Sequence, residues 1–368
     1  MPTQSLTLKL PFYRLNQCKA EEFEVFTQTY TDLANSILEI PKKLRSKLTS
    51  KDFNEVKEVG SAWCNQLIRN CNAKTKVKKF KRLPPEVNNQ NFKIEKSGEL
   101  FTVKFNTQRG RKRSLPLQIH HASHLDRLQG VLDGTVKLGS LKLWKSRKGV
   151  WYAIISVTMD VPKTETVNGW IGVDRGQNNI AVAAIPNGFG RFWKAGPIKH
   201  LRKRYQRIRK HLQSAGKHKA VKAYEHKERR IMTHANHIIA KQIVQLAKDH
   251  KMGIRLEDLS GIRQSSKQRK KTKSDASKNR DFWAFYQLGQ FIQYLANLEG
   301  IPVEFIPPQY TSKTSSKTGV IGKRNRHDFY DPVADYHCNA DWNASQNIGQ
   351  WVGLNCSLDL QKDLAVIA

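Results

Sequence analysis

The sequence predicts an α+β chain of several domains, because its hydrophobic period changes three times along 368 residues. It opens on alternating apolar and polar residues and then turns to three- and four-residue spacing. Alternation returns before buried strands interleaved with helical stretches take over. At roughly 150 residues per domain, the length calls for two or three.

The elements follow in order. SLTLKLPFYRL alternates and reads as one strand. Phe23, Phe26, Tyr30, Leu33, Ile37 and Leu38 predict a helix. After the polar break TSKD, so do Phe53, Val56, Val59, Trp63, Leu67 and Cys71, which makes two or three helices up to about residue 74 with these stripes as packed core. NFKIEKSGELFTVKF and LKLWKSRKGVWYAIISVTMDV each alternate about a short turn and predict hairpins. With the N-terminal strand, these hairpins are expected to complete a small antiparallel β-barrel into which residues 12–80 are inserted as a helical lobe. RGRKR at 109–113 falls on a turn of this barrel, either as a phosphate contact or as an ordinary solvated loop.

A third grain begins near Val167. GWIGVDRG reads as a buried strand ending in an acid, NNIAVAAIP as a second strand and GRFWKAG as a third. A helical stretch from Ile198 to Asp249 follows, with 13 Lys and Arg against two acids between Lys199 and Arg230. Next come the strand MGIRLE, a polybasic loop with eight Lys and Arg over 263–280, the helix FWAFYQLGQFIQYLANLEG, the strand IPVEFI and a last helical stretch from Asp341.

Lys and Arg number 64 against 31 Asp and Glu, for a formal net charge of +33, which is the electrostatic footprint of a polyphosphate partner. No run reaches the roughly 18–20 apolar residues of a spanning helix, and Met1–Leu10 lacks the plan of a signal peptide, so a membrane is not expected as a partner. Cys18, Cys64, Cys71, Cys338 and Cys356 form no C-x-x-C pair, which argues against a disulfide framework or a thiolate zinc site and for a reducing, cytoplasmic compartment. The sequence offers neither a G-x-S-x-G nucleophile nor a phosphate-cradling G-x-x-x-x-G-K-[ST] loop.

Asp174 ends the first strand of the third grain, Glu257 ends the fourth, and Asp341 opens the last helix. If strands one and four are neighbours, both side chains emerge at one edge, and a helix across the sheet brings Asp341 beside them. Like charges so close need a cation between them. Magnesium or manganese suits oxygen ligands and phosphodiester hydrolysis. Taken singly, each acid is equally a cap or surface residue, and Asp341 is a plausible N-cap of its own helix. Asp258, next to Glu257, faces the other way.

GVDRGQNNIAV, RLEDLSGI and ADWNASQNI resemble, in order, the three RuvC motifs of the TnpB nucleases of bacterial transposons, relatives of type V CRISPR effectors. The resemblance covers roughly residues 167–350. It implies an RNase H-like (RuvC) α/β nuclease domain beside a wedge barrel with an inserted recognition lobe, and it carries over Asp174, Glu257 and Asp341 as catalytic and metal-binding acids. It further implies Mg2+ (or Mn2+), a transposon-end-derived guide RNA, and a double-stranded DNA target cut next to a short flanking motif. Asn343 and Asn347 match polar positions of the third motif, as local support for the helix start. The corresponding divisions are 1–11 and 81–165 for the wedge, 12–80 for the recognition lobe, 166–310 for the nuclease domain, 311–338 for a degenerate zinc-ribbon-like element, 339–352 for the final helix and 353–368 for a tail. A prokaryotic cytoplasm, with the protein at the nucleoid, is the implied location.

The sequence departs from the family in the ribbon. Ser315, Thr318, Asp331 and Ala334 stand where four cysteines are usual, so no zinc is expected, and Cys338 with His327 and His337 has the wrong spacing to replace them. Arg326 roughly matches an arginine the family often carries, at most as an auxiliary phosphate contact. HHASH at 120–124 reads as hydrogen-bonding or phosphate-contacting rather than metal-binding. Two other readings stay open: an RNA-guided DNA-binding repressor without cleavage, and a guide-independent nucleic-acid-binding protein or nuclease.

Overall fold

In a computed structural model of the chain, the described residues are 3–74, 77–108, 111–162, 166–176, 179–186, 188–259, 275–309 and 311–351, apart from the side chains of 56, 108 and 275–285. The chain forms two compact units, residues 1–160 and 161–368. Most of the polybasic loop and the tail fall outside the described residues. Among those residues, no helix is long and apolar enough to cross a membrane.

In the first unit, β1 (Thr3–Pro11), β2 (Glu86–Val87), β6 (Val136–Lys145) and β7 (Trp151–Asp160) form an antiparallel sheet in the order β1-β7-β6-β2. Strand alternation drives one face inward, so Leu6, Leu8 and Leu10 are buried with Trp151, Ala153, Ile155 and Val157. Helix α1 (Gln17–Glu39) opens on the side chain of Asn16, which accepts from the Lys19 amide, and presents the expected stripe. Its Phe23 ring sits 5.4 Å from Trp151, 5.8 Å from Phe12 and 6.0 Å from Phe105. Two single-turn helices, α2 (Lys42–Arg45) and α3 (Val56–Val59), lead to α4 (Ser61–Asn72), whose Trp63 meets Phe26 edge to face.

Both hairpins form, but the β-barrel does not, and that part of the expected fold class is corrected. β3 (Phe92–Ser97), β4 (Leu100–Gln108) and β5 (Arg111–Pro116) make a separate three-stranded sheet. Closure requires every edge strand to find a partner. Here β2 is two residues long and pairs only with Leu141 and Lys142, and α5 (Ala122–Leu132) comes between β5 and β6 in the chain. Among the described residues, an isolated bridge from Phe12 to Leu117 joins strand ends instead. Within the basic run at 109–113, Arg113 lies in β5 rather than on a turn, and its guanidinium pairs with Glu22 of α1 at 2.6 Å.

In the second unit, β8 (Trp170–Asp174), β9 (Asn179–Ala184), β10 (Gly190–Lys194), β11 (Gly253–Glu257) and β12 (Val303–Ile306) form one sheet in the order β10-β9-β8-β11-β12. The first three strands are antiparallel, and β11 runs parallel to both β8 and β12. Helices α6 (Gly196–Ser214), α7 (His218–Asp249) and α8 (Asp275–Leu298) supply the long connections. Ile171, Val173, Ile254 and Leu256 pack with Ile239, Ile243 and Val244 of α7 and Leu288 and Ile292 of α8 in one core. A three-stranded sheet of β13 (Lys323–Asn325), β14 (Asp328–Asp331) and β15 (Tyr336–Asn339) precedes the last helix, α9 (Ala340–Gly349).

Candidate metal-dependent nuclease site

Strand alternation decides where the acids go. Val173 opposes Leu256 in the parallel β8–β11 pair, so the next residues along, Asp174 and Glu257, end neighbouring strands at the same edge. Since Ile171, Val173, Ile254 and Leu256 face the α7–α8 core, Gly172, Asp174, Arg255 and Glu257 belong to the opposite face. Helix α9 lies on that face. Gly172 admits it there, because a Cβ on that residue would stand 1.9 Å from the Ser345 carbonyl oxygen and 2.3 Å from the Gly349 nitrogen. Arg255 fastens its far end, with Nη1 donating to the carbonyls of Gly349 (3.0 Å) and Trp351 (2.6 Å), where a cation also suits the negative end of the helix dipole.

The N-cap of α9 is Asn339, whose Oδ1 accepts from the amides of Asp341 (3.0 Å) and Trp342 (3.2 Å). Asp341 is therefore not a cap. Its buried carboxylate accepts from Asn179 Nδ2 and pairs with Arg324 Nη2, each at 2.9 Å. Glu257 accepts a hydrogen bond from the hydroxyl of Thr311. The charges of both Glu257 and Asp341 act on Asp174, so the three candidate acids share one electrostatic neighbourhood at this edge of the sheet.

Burial first, and then those two charges, push the Asp174 carboxyl up to about 7, against the opposing pull of Arg324 and Arg175. Burial also raises Glu257, with partial relief from the Thr311 hydrogen bond and the charges of Arg175 and Arg324. Arg175 is itself buried, which brings its guanidinium down to about 10 despite Glu257, Asp174 and Asp258 nearby, and it donates to the Glu257 carbonyl. Its room comes from Gly289 of α8, where a Cβ would lie 2.3 Å from Arg175 Nη1.

Among the described residues, no three His, Cys, Asp or Glu side chains form, as they stand, a group that could hold a metal ion. The donor set nonetheless suits a hard divalent cation: carboxylates only, with Asp174 and Glu257 both held above their usual range by burial and Asp174 also by the charges of Glu257 and Asp341, which a positive ion relieves.

Sequence reasoning missed Thr311, Asn179, Arg175 and Arg324. Arg326 sits on the β13–β14 turn with a positive φ of 52°, and Arg324, two residues earlier, is the one that reaches Asp341. The alternation of RNR was a usable signal, but the position of the turn was not. Asn343 and Asn347 do more than support a helix start. They bind the segment before β13, Asn343 through the Thr314 carbonyl (2.7 Å) and the Ser316 amide (2.9 Å).

The ribbon positions have another occupation. Asp331 is fully buried; its Oδ2 accepts from Thr318 Oγ1 (2.7 Å) and its Oδ1 from the amides of Val333 (2.9 Å) and Ala334 (3.2 Å). Burial alone would raise this carboxyl, but these bonds and one from Ser315 outweigh it and hold Asp331 below the usual range. Ser315, Thr318 and the amide of Ala334, three of the four expected ligand positions, therefore converge on the carboxylate of the fourth, Asp331. Meanwhile, His337 stacks on Tyr330 with centroids 4.4 Å apart.

A family profile described as "Cas12f1-like, TNB domain" matches residues 285–348, a stretch that includes Thr311, Arg324 and Asp341. The chain is 32% identical over 207 residues to the CRISPR-associated endodeoxyribonuclease Cas12f1 of Syntrophomonas palmitatica, covering 51% of this chain and 39% of that protein. It is 30% identical over 240 residues to Cas12f1 of Sulfoacidibacillus thermotolerans, covering 59% and 54%. A TnpB-like protein of Methanocaldococcus jannaschii is 27% identical over 122 residues, covering 32% of this chain and 43% of that one. The chain is similar to Cas12f and TnpB-like proteins. It spans about half or less of the length of these curated relatives. Its fold is that of the chain solved in a Cas12f1–sgRNA–target DNA complex, with a TM-score of 0.71, 17% identity and coverage of 94% of this chain and 99% of that one.

Proposed function

We propose that the protein is an RNA-guided DNA endonuclease of transposon origin that hydrolyses target DNA beside a short flanking motif. The observation that supports this reading is that the charges of Glu257 and Asp341 both act on Asp174, at the sheet edge beside α9, in a chain of net charge +33. The Cas12f and TnpB-like relatives support it.

Asp174, Glu257 and Asp341 would hold magnesium or manganese, which when bound supplies Lewis acidity and an activated water. The remaining residues orient and balance the acids. Asn179 and Arg324 fix the two oxygens of Asp341, while Arg175 holds the end of β11 through the Glu257 carbonyl and offsets part of the local negative charge. Sequence choice falls to pairing between guide RNA and target strand, with the protein holding the heteroduplex by its backbone. In this reading, residues 12–80 and the strands of the first unit serve the guide and the flanking duplex, and the basic helices α6 and α7 line RNA phosphates.

The test is to sequence RNA that copurifies with the protein, and then to offer a plasmid library in which the matching target is flanked by random bases. Guide-dependent cleavage beside a fixed motif, lost in Asp174→Ala, is expected. Equal cutting of matched and unmatched plasmids after RNA removal would return the protein to the non-specific nucleases, and RNA-dependent binding without cleavage would make it a repressor.

A further inference from the structure

We infer that Thr311 is a positioning residue for Glu257, set in place by Asn347 of α9. The inference rests on the proposed role of Glu257 and adds a residue to it. Thr311 is 3% exposed, and its hydroxyl donates to Glu257 Oε1. Its own carbonyl accepts from Asn347 Nδ2 at 2.8 Å, and the same amide donates to the Thr314 carbonyl at 2.6 Å. Asn343, one helical turn earlier on the same face, grips Thr314 and Ser316. Two amide side chains on one helix thus hold the Thr311–Ser316 segment.

The arrangement couples two acids through one helix. Asp341 rides directly on α9, whereas Glu257 ends a strand and is reached from α9 through Asn347 and Thr311. A carboxylate at a strand end is free to rotate about its side-chain bonds, and a hydroxyl on one oxygen removes part of that freedom and leaves the other oxygen for a ligand. A buried threonine hydroxyl needs only some acceptor. Here it is spent on the acid while the backbone of the same residue is tied to the helix that carries the third acid.

The experiment compares Thr311→Val, which keeps shape and loses the donor, with Thr311→Ser, which keeps the donor. Asn347→Asp removes both amide donations, and Glu257→Gln is the reference. Mn2+ binding to the full-length, nucleic-acid-free protein is followed by electron paramagnetic resonance, and single-turnover cleavage is followed on the target found with the copurified RNA. Thr311→Val and Asn347→Asp are expected to weaken Mn2+ binding at least threefold and to slow cleavage at least tenfold, with target affinity within twofold; Thr311→Ser is expected to restore both. Wild-type Mn2+ binding and cleavage in folded Thr311→Val, or a serine variant as impaired as valine, overturns the inference. If Thr311→Val does not fold, Asn347→Asp decides by the same criteria. Wild-type cleavage by Glu257→Gln overturns the acid-cluster reading itself, whereas an inactive Glu257→Gln beside an unimpaired Thr311→Val removes only the role of Thr311.

Discussion

Gly172 of β8 and Gly349 of α9 meet backbone to backbone. A Cβ on Gly172 would come 2.3 Å from the Gly349 nitrogen, and one on Gly349 would come 3.1 Å from the Gly172 nitrogen. This contact sets the depth at which α9 lies on the sheet, and with it the height of Asp341 above the strand end that bears Asp174. Gly172→Ala must push the helix outward, because the nearest atoms are backbone and cannot rotate away. Overpacking a core typically costs about 1–3 kcal/mol, and a backbone clash belongs at the upper end. Thermal or urea unfolding is expected to register about 3 kcal/mol, and cleavage should fall further than stability explains. A variant as stable and active as wild type would show that α9 is not seated by this contact.

Asp174 makes stability depend on pH in a defined direction. Its carboxyl rises from 3.8 to about 7 on folding, so between these values the folded chain binds more protons than the unfolded one. The stability associated with its proton is complete below about pH 4 and is lost as pH rises towards about 7. Asp174→Asn is expected to flatten this slope and to unfold at a higher temperature than wild type at about pH 8 without metal. Magnesium should raise the melting temperature of wild type more at about pH 8 than at about pH 5, and should do little for the asparagine variant. A wild-type stability that climbs from pH 5 to pH 8 without metal would contradict the assignment.

Asp331 is expected to stand in for a metal cross-link. Removing it in Asp331→Ala leaves the half-buried Thr318 hydroxyl without its acceptor, at about 1–3 kcal/mol, while the amides of Val333 and Ala334, on exposed residues, turn to water at smaller cost. The depressed carboxyl contributes its stability above the ordinary carboxylate range and loses it as pH falls below that range. Elemental analysis should find no stoichiometric zinc, and a zinc-selective chelator should leave the melting curve unchanged. One zinc per chain would point back to Cys338 and its neighbouring histidines.

Arg175 and Gly289 form a matched pair, the guanidinium occupying the space a side chain on α8 would need. Gly289→Val should displace Arg175, release the Glu257 carbonyl and lower the cleavage rate by one to two orders of magnitude while RNA binding on the basic surface persists. Filter binding and cleavage measured on the same preparation separate the two effects. Equal loss of both would mean that the fold, rather than the site, was damaged.

Much of the site was legible locally. Period-two alternation in GWIGVD and GIRLE places Asp174 and Glu257 on the face opposite the core-facing Val173 and Leu256, and this needs no knowledge of the rest of the chain. The helical stripe from Phe23 to Leu38 and the two hairpins are equally local, since turn chemistry and residue spacing act over a few positions. The barrel was not legible, because closure depends on edges far apart in sequence finding each other, and β2 proved too short while α5 intervened. Nor were the groups that dress the acids. Arg324 rather than Arg326 reaches Asp341 because the β13–β14 turn falls at a left-handed residue, and Asn339 rather than Asp341 caps α9, which leaves the acid to the site. The carboxylate of Asp331 gathers its donors, and Thr311 reaches Glu257, only when segments 13 and 54 residues apart are brought together by tertiary packing. The sequence by itself determined which residues carry negative charge to the strand ends and which face they share. Tertiary structure decided what touches those charges, because contacts between distant segments follow from how the elements pack and not from the period of any one of them.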